Sequence, residues 1–182
     1  MDILVTTALA VALVTASVTD LRDQRIYNWL TFPLIIAGFA THTVFGGMEG
    51  LKFAASGFGL GFVVMVIPYF MGVMGAGDVK LMAGIGAWLG LESTFTAFLF
   101  TCIAGGVYGL AVLALDPKVL KGVLINIRNT FAVFMATRKF NFTPVATEKA
   151  LPKLCYGVAI AVGTSAAMGM HAWLTGSVYS GY

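Results

Sequence analysis

From Phe53 to Gly77 the chain runs 25 residues without a charged side chain, and four further stretches of 17 residues or more do the same. Segments this long and apolar are the length of a helix crossing the hydrocarbon core of a bilayer. There the backbone must satisfy its own hydrogen bonds, so only helices and closed barrels are stable. A barrel would show alternating polarity along short segments, and these runs are continuous. Charged residues make up only 10% of the sequence, whereas a soluble domain carries about a quarter. Mean hydropathy is +0.91. The 22 glycines suit close packing of membrane helices. The fold expected is therefore an all-α integral membrane protein, one domain over 1–182.

Hydropathy places about six transmembrane helices, at about 3–19, 29–46, 51–71, 79–91, 93–115 and 154–175. The fourth, 79–91, is short, roughly 20 Å at 1.5 Å per residue. It either ends in a re-entrant turn or borrows residues from its flanks. The first run has no Lys or Arg before it, so it is read as a spanning helix and not as a cleavable signal peptide. Ten of the eleven basic residues fall in the first, third and fifth breaks, seven of them in 116–153. Basic loops stay on the cytoplasmic side, which puts those breaks inside and both termini outside. Within the long fifth break, Leu120, Leu124, Ile127, Phe131 and Phe134 fall on one helical face, away from Lys118, Lys121 and Arg128. That pattern predicts an amphipathic helix in the cytoplasmic interface over about 117–140, with a polar seventh span as the alternative.

Cys102 and Cys155 lie in apolar segments and are expected as buried free thiols; no CxxC pair occurs. His42 lies about 20 Å into the second span and His171 about 26 Å into the sixth. Both are far from any cytoplasmic carboxylate and are expected to pack between helices. No metal site and no cofactor are expected, and no serine is placed with a histidine at one depth. The Gly57-x3-Gly61, Gly86-x3-Gly90 and Gly105-x3-Gly109 spacings predict helix-packing faces.

Two carboxylates remain. Asp78 follows Gly75-Ala76-Gly77 at the cytoplasmic start of the fourth span, and Asp20 closes the first. They share a membrane face although 58 positions separate them. A close carboxyl pair in a low dielectric tends to share one proton, which suits aspartic proteolysis. The ionised partner takes a proton from water while the protonated one polarises the scissile carbonyl. Gly75 and Gly77 would let a substrate backbone or a neighbouring helix come close. Capping of a helix start by Asp78, and pairing of Asp20 with Arg22 or Arg25, are equally open on spacing alone. Lys80 is read as an anchor reaching the interface, with tuning of Asp78 as the alternative.

Taken together, "DLRDQRIYN" (20–28) running into Leu30-Thr31-Phe32-Pro33-Leu34, "GAGDVKL" (75–81) and "LPKLCYGVAIAVG" (151–163) resemble the motifs of the type IV prepilin peptidases, a family of membrane-embedded aspartic proteases. The resemblance covers about 10–170. It implies that Asp20 and Asp78 are the catalytic aspartates, with Asp23 a rival for the first role, and that Gly75, Gly77, Lys80 and Asn28 support the site. Tyr27 stands where the family usually has proline. The paired CxxC motifs and methyltransferase region of longer members have no counterpart here. The chain thus resembles the compact, peptidase-only branch associated with Flp-type pili. The implied activity is removal of a short basic leader from prepilins at the cytoplasmic face of the bacterial inner membrane. The implied partners are the prepilin, the bilayer and other pilus assembly proteins, with no nucleic acid. Two other classes stay open: a carrier using the Asp pair as a proton or cation relay, and a non-catalytic assembly protein of a secretion system.

Overall fold

The computed structural model describes residues 1–115 and 155–179, together with 120, 121, 125, 128 and 135. Four helices account for nearly all of them: α1 (Asp2–Asp23), α2 (Asn28–Phe70), α3 (Ala76–Leu115) and α4 (Tyr156–Thr175). Among the described residues there is no strand. All four helices are long and apolar enough to cross a membrane, and the protein is a multi-pass membrane protein. Large apolar side chains such as Ile3, Val11, Ile36, Val63, Ile103 and Trp173 are exposed on the outside of the helices, where a soluble protein would carry charge.

At 43 and 40 residues, α2 and α3 are each divided by one glycine whose backbone leaves the helical region, Gly47 (φ 57°) and Gly90 (φ 75°). L side chains seldom adopt those values. The result is rods at 28–46 and 48–70, then 76–89 and 91–115. The break expected at 47–50 contracts to the single left-handed Gly47, and the one-residue break expected at 92 falls at Gly90. The described residues thus form six rods within the four helices.

Packing fixes their directions. Phe39 meets Phe58 and His42 meets Phe53, with ring centroids 5.6 and 4.7 Å apart, so 28–46 and 48–70 form an antiparallel hairpin. Gly57 and Gly86 lie backbone to backbone, and a side chain on either would collide with the other's carbonyl. Gly61 opposes the Met82 carbonyl in the same way. Here the small-residue spacing lets 48–70 and 76–89 touch, as expected. Of the third pair, Gly105 packs on Tyr156 and Ala159 of α4, where a Cβ would stand 3.6 and 3.8 Å away, while Gly109 has nothing within 4 Å among the described residues.

The rod 76–89 is the centre of its bundle. From Asp78 to Leu89 every residue but Lys80 is buried. Met82, Ile85 and Leu89 join one core with Leu9 and Leu13 of α1, Leu34 and Met65 of α2, and Ile160 of α4. A helix enclosed by protein need not match the bilayer thickness, which explains its length. It does borrow from its flank, starting at Ala76 and not at residue 79.

Two compact units divide the chain: residues 1–105 with 155–182, and 106–154. In the first, the near end gathers the end of α1, the start of α2, the turn before α3 and the start of α4. The far end gathers Met1, Gly47, Gly90 and the end of α4. In the second, residues 106–115 finish α3. The amphipathic segment expected over 117–140 lies outside the described residues, apart from isolated positions.

Both cysteines are free, but only Cys155 is buried; Cys102 is exposed on the outer face of α3. An apolar sequence context does not distinguish lipid from protein as the surroundings, and the thiol expected inside is outside. At the far end Ser177 does come to the depth of His171, against expectation, because Gly176 (φ 75°) turns the chain back after α4. The imidazole engages the Ser177 carbonyl at 2.7 Å, whereas the Ser177 hydroxyl goes to Asp2 at 2.9 Å and to the Tyr179 carbonyl.

Candidate active site

At the near end the glycine-rich turn starts α3. Gly75 N–H donates to Asp78 Oδ2 at 2.9 Å, and Asp78 N–H donates back to the Gly75 carbonyl at 3.1 Å. This reciprocal arrangement resembles a capping box. It fixes the Asp78 carboxylate over the first turn, where the helix dipole favours negative charge. Capping and a buried carboxylate are therefore one feature here, not rival readings.

Gly77 serves a different contact. A Cβ there would stand 2.8 Å from the Ile26 carbonyl and 2.9 Å from its Cβ. The bare glycine lets the loop between α1 and α2 lie directly on the start of α3. Gln24 aims that loop: it ends α1 with φ 51°, the one non-glycine at positive φ among the described residues, while its N–H caps the Asp20 carbonyl at 2.9 Å. Such a conformation costs about 1–2 kcal/mol.

Asp20 sits one turn before the end of α1. Its Oδ2 accepts a 2.7 Å hydrogen bond from Gly157 N–H, at the start of α4. A Cβ at 157 would lie 2.9 Å from that oxygen, so glycine is what admits the carboxylate to the helix terminus. The Cys155 thiol points at the Asp20 carbonyl, 3.6 Å away. Neither Arg22 nor Arg25 pairs with Asp20; among the described residues the single ion pair joins Lys52 to Glu49.

Asp20 and Asp78 are 6% and 8% exposed, and each lies within electrostatic reach of the other. Each takes one backbone hydrogen bond, and its second oxygen takes none among the described residues. Two buried carboxylates are thus each held through one oxygen by the backbone at a helix start, Asp78 at α3 and Asp20 at α4. Asp23 is exposed and accepts a 3.1 Å hydrogen bond from the Tyr27 hydroxyl. That bond, with the charge of Asp23, raises the Tyr27 phenol above its usual value. Tyr27 and Asp23 thus pair with each other at the exposed start of the loop.

Lys80 and Asn28 are brought together, but not onto the carboxylates. Lys80 Nζ donates to Asn28 Oδ1 at 2.9 Å and stands 5.0 Å from the centre of the Phe32 ring. They clasp the first turns of α2 and α3. His42 is fully buried, donating from Nε2 to the Trp88 carbonyl at 3.0 Å, far from the aspartates. No group of three or more His, Cys, Asp or Glu side chains that could hold a metal ion occurs among the described residues.

The sequence profile of the type IV leader peptidase family matches residues 7–110, a span that holds both aspartates and the glycine turn. The chain belongs to that family. It is 31% identical over 109 residues to a Burkholderia pseudomallei protein named prepilin leader peptidase/N-methyltransferase, covering 56% of this chain and 35% of that relative. A Bacillus subtilis protein of the same name is 33% identical over 102 residues, covering 54% of this chain and 40% of its own. An Escherichia coli K12 protein, again so named, is 29% identical over 131 residues, covering 62% and 57%. The chain spans from about a third to just over half the length of these relatives. No solved structure matches it.

The role of Gly157 was missed by the sequence reading. "LPKLCYGVAIAVG" was noted as a motif, but nothing in one sequence says that residue 157 meets residue 20. Tyr156, half-buried beside it and within electrostatic reach of Asp78, was missed for the same reason.

Proposed function

We propose that this type IV leader peptidase family member is a membrane aspartic endopeptidase. Its substrate would be a Flp-type prepilin, cut after its short basic leader at the cytoplasmic face of the inner membrane. The observation that carries the reading is the pair of buried carboxylates, Asp20 and Asp78, each anchored through one oxygen and within reach of the other. In the proposed reaction one carboxyl is ionised and the other protonated. The ionised group takes a proton from a water held between them, and the resulting hydroxide attacks the scissile carbonyl carbon. The protonated group donates to the carbonyl oxygen, giving a neutral tetrahedral intermediate. Collapse of that intermediate breaks the C–N bond, and the proton taken from water passes to the departing amine.

Gly75, Gly77 and Gly157 shape the site, while the Lys80–Asn28 clasp holds its wall. The chain has two cysteines and no CxxC pair, so its activity is proposed as proteolysis without methyl transfer, and without metal or cofactor. Both termini are placed outside, and other pilus assembly proteins are the further partners proposed.

The test is co-expression with a Flp-type prepilin, reading leader removal by mass. Asp20→Asn and Asp78→Asn keep size and polarity but remove the proton-accepting carboxylate, so cleavage should fall to background while the protein still inserts. Asp23→Ala should retain substantial activity. Near-normal processing by either Asn variant would end the dyad assignment.

A further inference from the structure

Along the outside of the first unit, α1 and α4 leave a cleft of about 280 Å³ open to the side. Thr6, Ala10 and Leu13 form one wall, Ser165, Met168 and Gly169 the other, and Val178 closes its far end. Leu13 and Met168 are buried at its floor. Its rims are small: Ala10 is exposed, and a Cβ on Gly169 would meet nothing within 4 Å. Small rims permit a passing helix to come close, as small residues do between membrane helices.

The register of both walls gives the cleft a direction. On α1, positions 6, 10, 13, 17 and 20 share one helical stripe, which ends on Asp20. On α4, positions 172, 168, 165, 161 and 157 share one stripe, which ends on Gly157. Those two stripes meet in the 2.7 Å bond between Gly157 N–H and Asp20. Nothing polar need obstruct the way, since the Ser17 hydroxyl bonds back to the Leu13 carbonyl at 2.8 Å.

The geometry points to this cleft as the seat for the apolar helix that follows the scissile bond in the substrate. The inference rests on the proposed leader cleavage and adds where the remainder of the substrate lies. With its cut site at Asp20, a substrate helix rising 1.5 Å per residue reaches Leu13 after about 7 residues and Thr6 after about 14. It runs antiparallel to α1 and parallel to α4. An acyl chain could fill an apolar cleft anywhere on the surface, but this one lies in line with the carboxylate at the depth the substrate's helix must cross.

Photo-crosslinking in native membranes tests this with the full chain carrying Asp78→Asn, so that the prepilin is not consumed. A benzophenone side chain replaces Ala10 or, as a control, Val11, which is 62% exposed on the neighbouring outer face. The probe is a Flp-type prepilin with its leader intact. The expected result is a prepilin adduct from position 10, mapping about 7–14 residues beyond the cut site, and none above background from position 11. Equal adducts from both positions, or labelling of lipid alone from position 10, overturn the seat. In parallel, Gly169→Trp should raise the KM for prepilin about tenfold, with Val11→Trp leaving it unchanged; an unchanged KM in Gly169→Trp also overturns the seat. Both readouts stand apart from the chemistry. If the unmodified chain cleaves prepilin and the chain probed at position 10 gives no adduct, only the seat is lost. A chain that never cleaves it loses the proposed function as well.

Discussion

Replacing Gly157 by alanine isolates the hold of α4 on Asp20. The added methyl would stand 2.9 Å from Asp20 Oδ2 and 3.1 and 3.2 Å from its Cβ and Cγ. Non-bonded contacts of this kind settle near about 3.5 Å or beyond, so the carboxylate must withdraw by roughly 0.5 Å. The 2.7 Å bond from Gly157 N–H then stretches to about 3.2 Å, the edge of the useful range. A hydrogen bond to a charged group contributes about 1.5–3 kcal/mol, and misplacing a reacting group by about 1 Å costs on the order of a hundredfold in rate. A fall in kcat of about ten- to a hundredfold is expected. Helix stability should not fall with it, because alanine is favoured over glycine inside a helix by about 1 kcal/mol. The assay is the time course of leader removal by mass spectrometry on protein in lipid nanodiscs, with thermal unfolding measured beside it. Gly59→Ala, where a Cβ meets nothing within 4 Å, is the control and should match the unmodified chain. Full kcat in Gly157→Ala would show that the start of α4 does not set the position of Asp20.

Gly86→Leu should fail differently, by forcing apart the backbones of 48–70 and 76–89; loss of folded protein in detergent, seen as early elution with aggregates, is the outcome expected, and a monodisperse variant would refute the packing argument. Orientation is testable with single cysteines in a chain lacking Cys102 and Cys155: a probe at Gln24 should be shielded from an impermeant thiol reagent added outside, while one at Glu49 should react, and the reverse pattern would put the carboxylates on the wrong side for leader cleavage. Activity should persist in excess chelator and no methyl group should pass to the mature pilin; inhibition by EDTA that zinc restores would contradict the two-carboxylate chemistry.

The hydrophobic runs were legible because bilayer thickness imposes a length on those that face lipid, and the rods at 28–46, 48–70 and 91–115 begin and end close to where hydropathy changes. The corners were less legible. Gly47 and Gly90 are two glycines among 22, and only the backbone shows that they, rather than Gly46 or Gly59, carry the reversal. Exposure was the hardest quantity to read. Cys102 and Ile85 both sit in apolar surroundings by sequence, yet one is exposed and the other fully buried. The hydrophobic pattern that separates inside from outside in a soluble helix is absent when the outside is also apolar. At the site, both aspartates and their glycines could be named from charge, depth and motif. The partners of those carboxylates could not, because Gly157 reaches Asp20 through a contact between residues 137 positions apart.

That separation also sets a sequence of events during synthesis. The Asp20 carboxylate leaves the ribosome early, whereas the N–H that holds it belongs to the last described helix. At translation rates of about 5–20 residues per second, Gly157 follows Asp78 by roughly 4–16 s. Through that interval both carboxylates are in the membrane, but only Asp78 has its local anchor. A chain interrupted before α4 is left with half of the clamp, so the hold on Asp20 arrives in one step with α4 rather than growing as the helices accumulate.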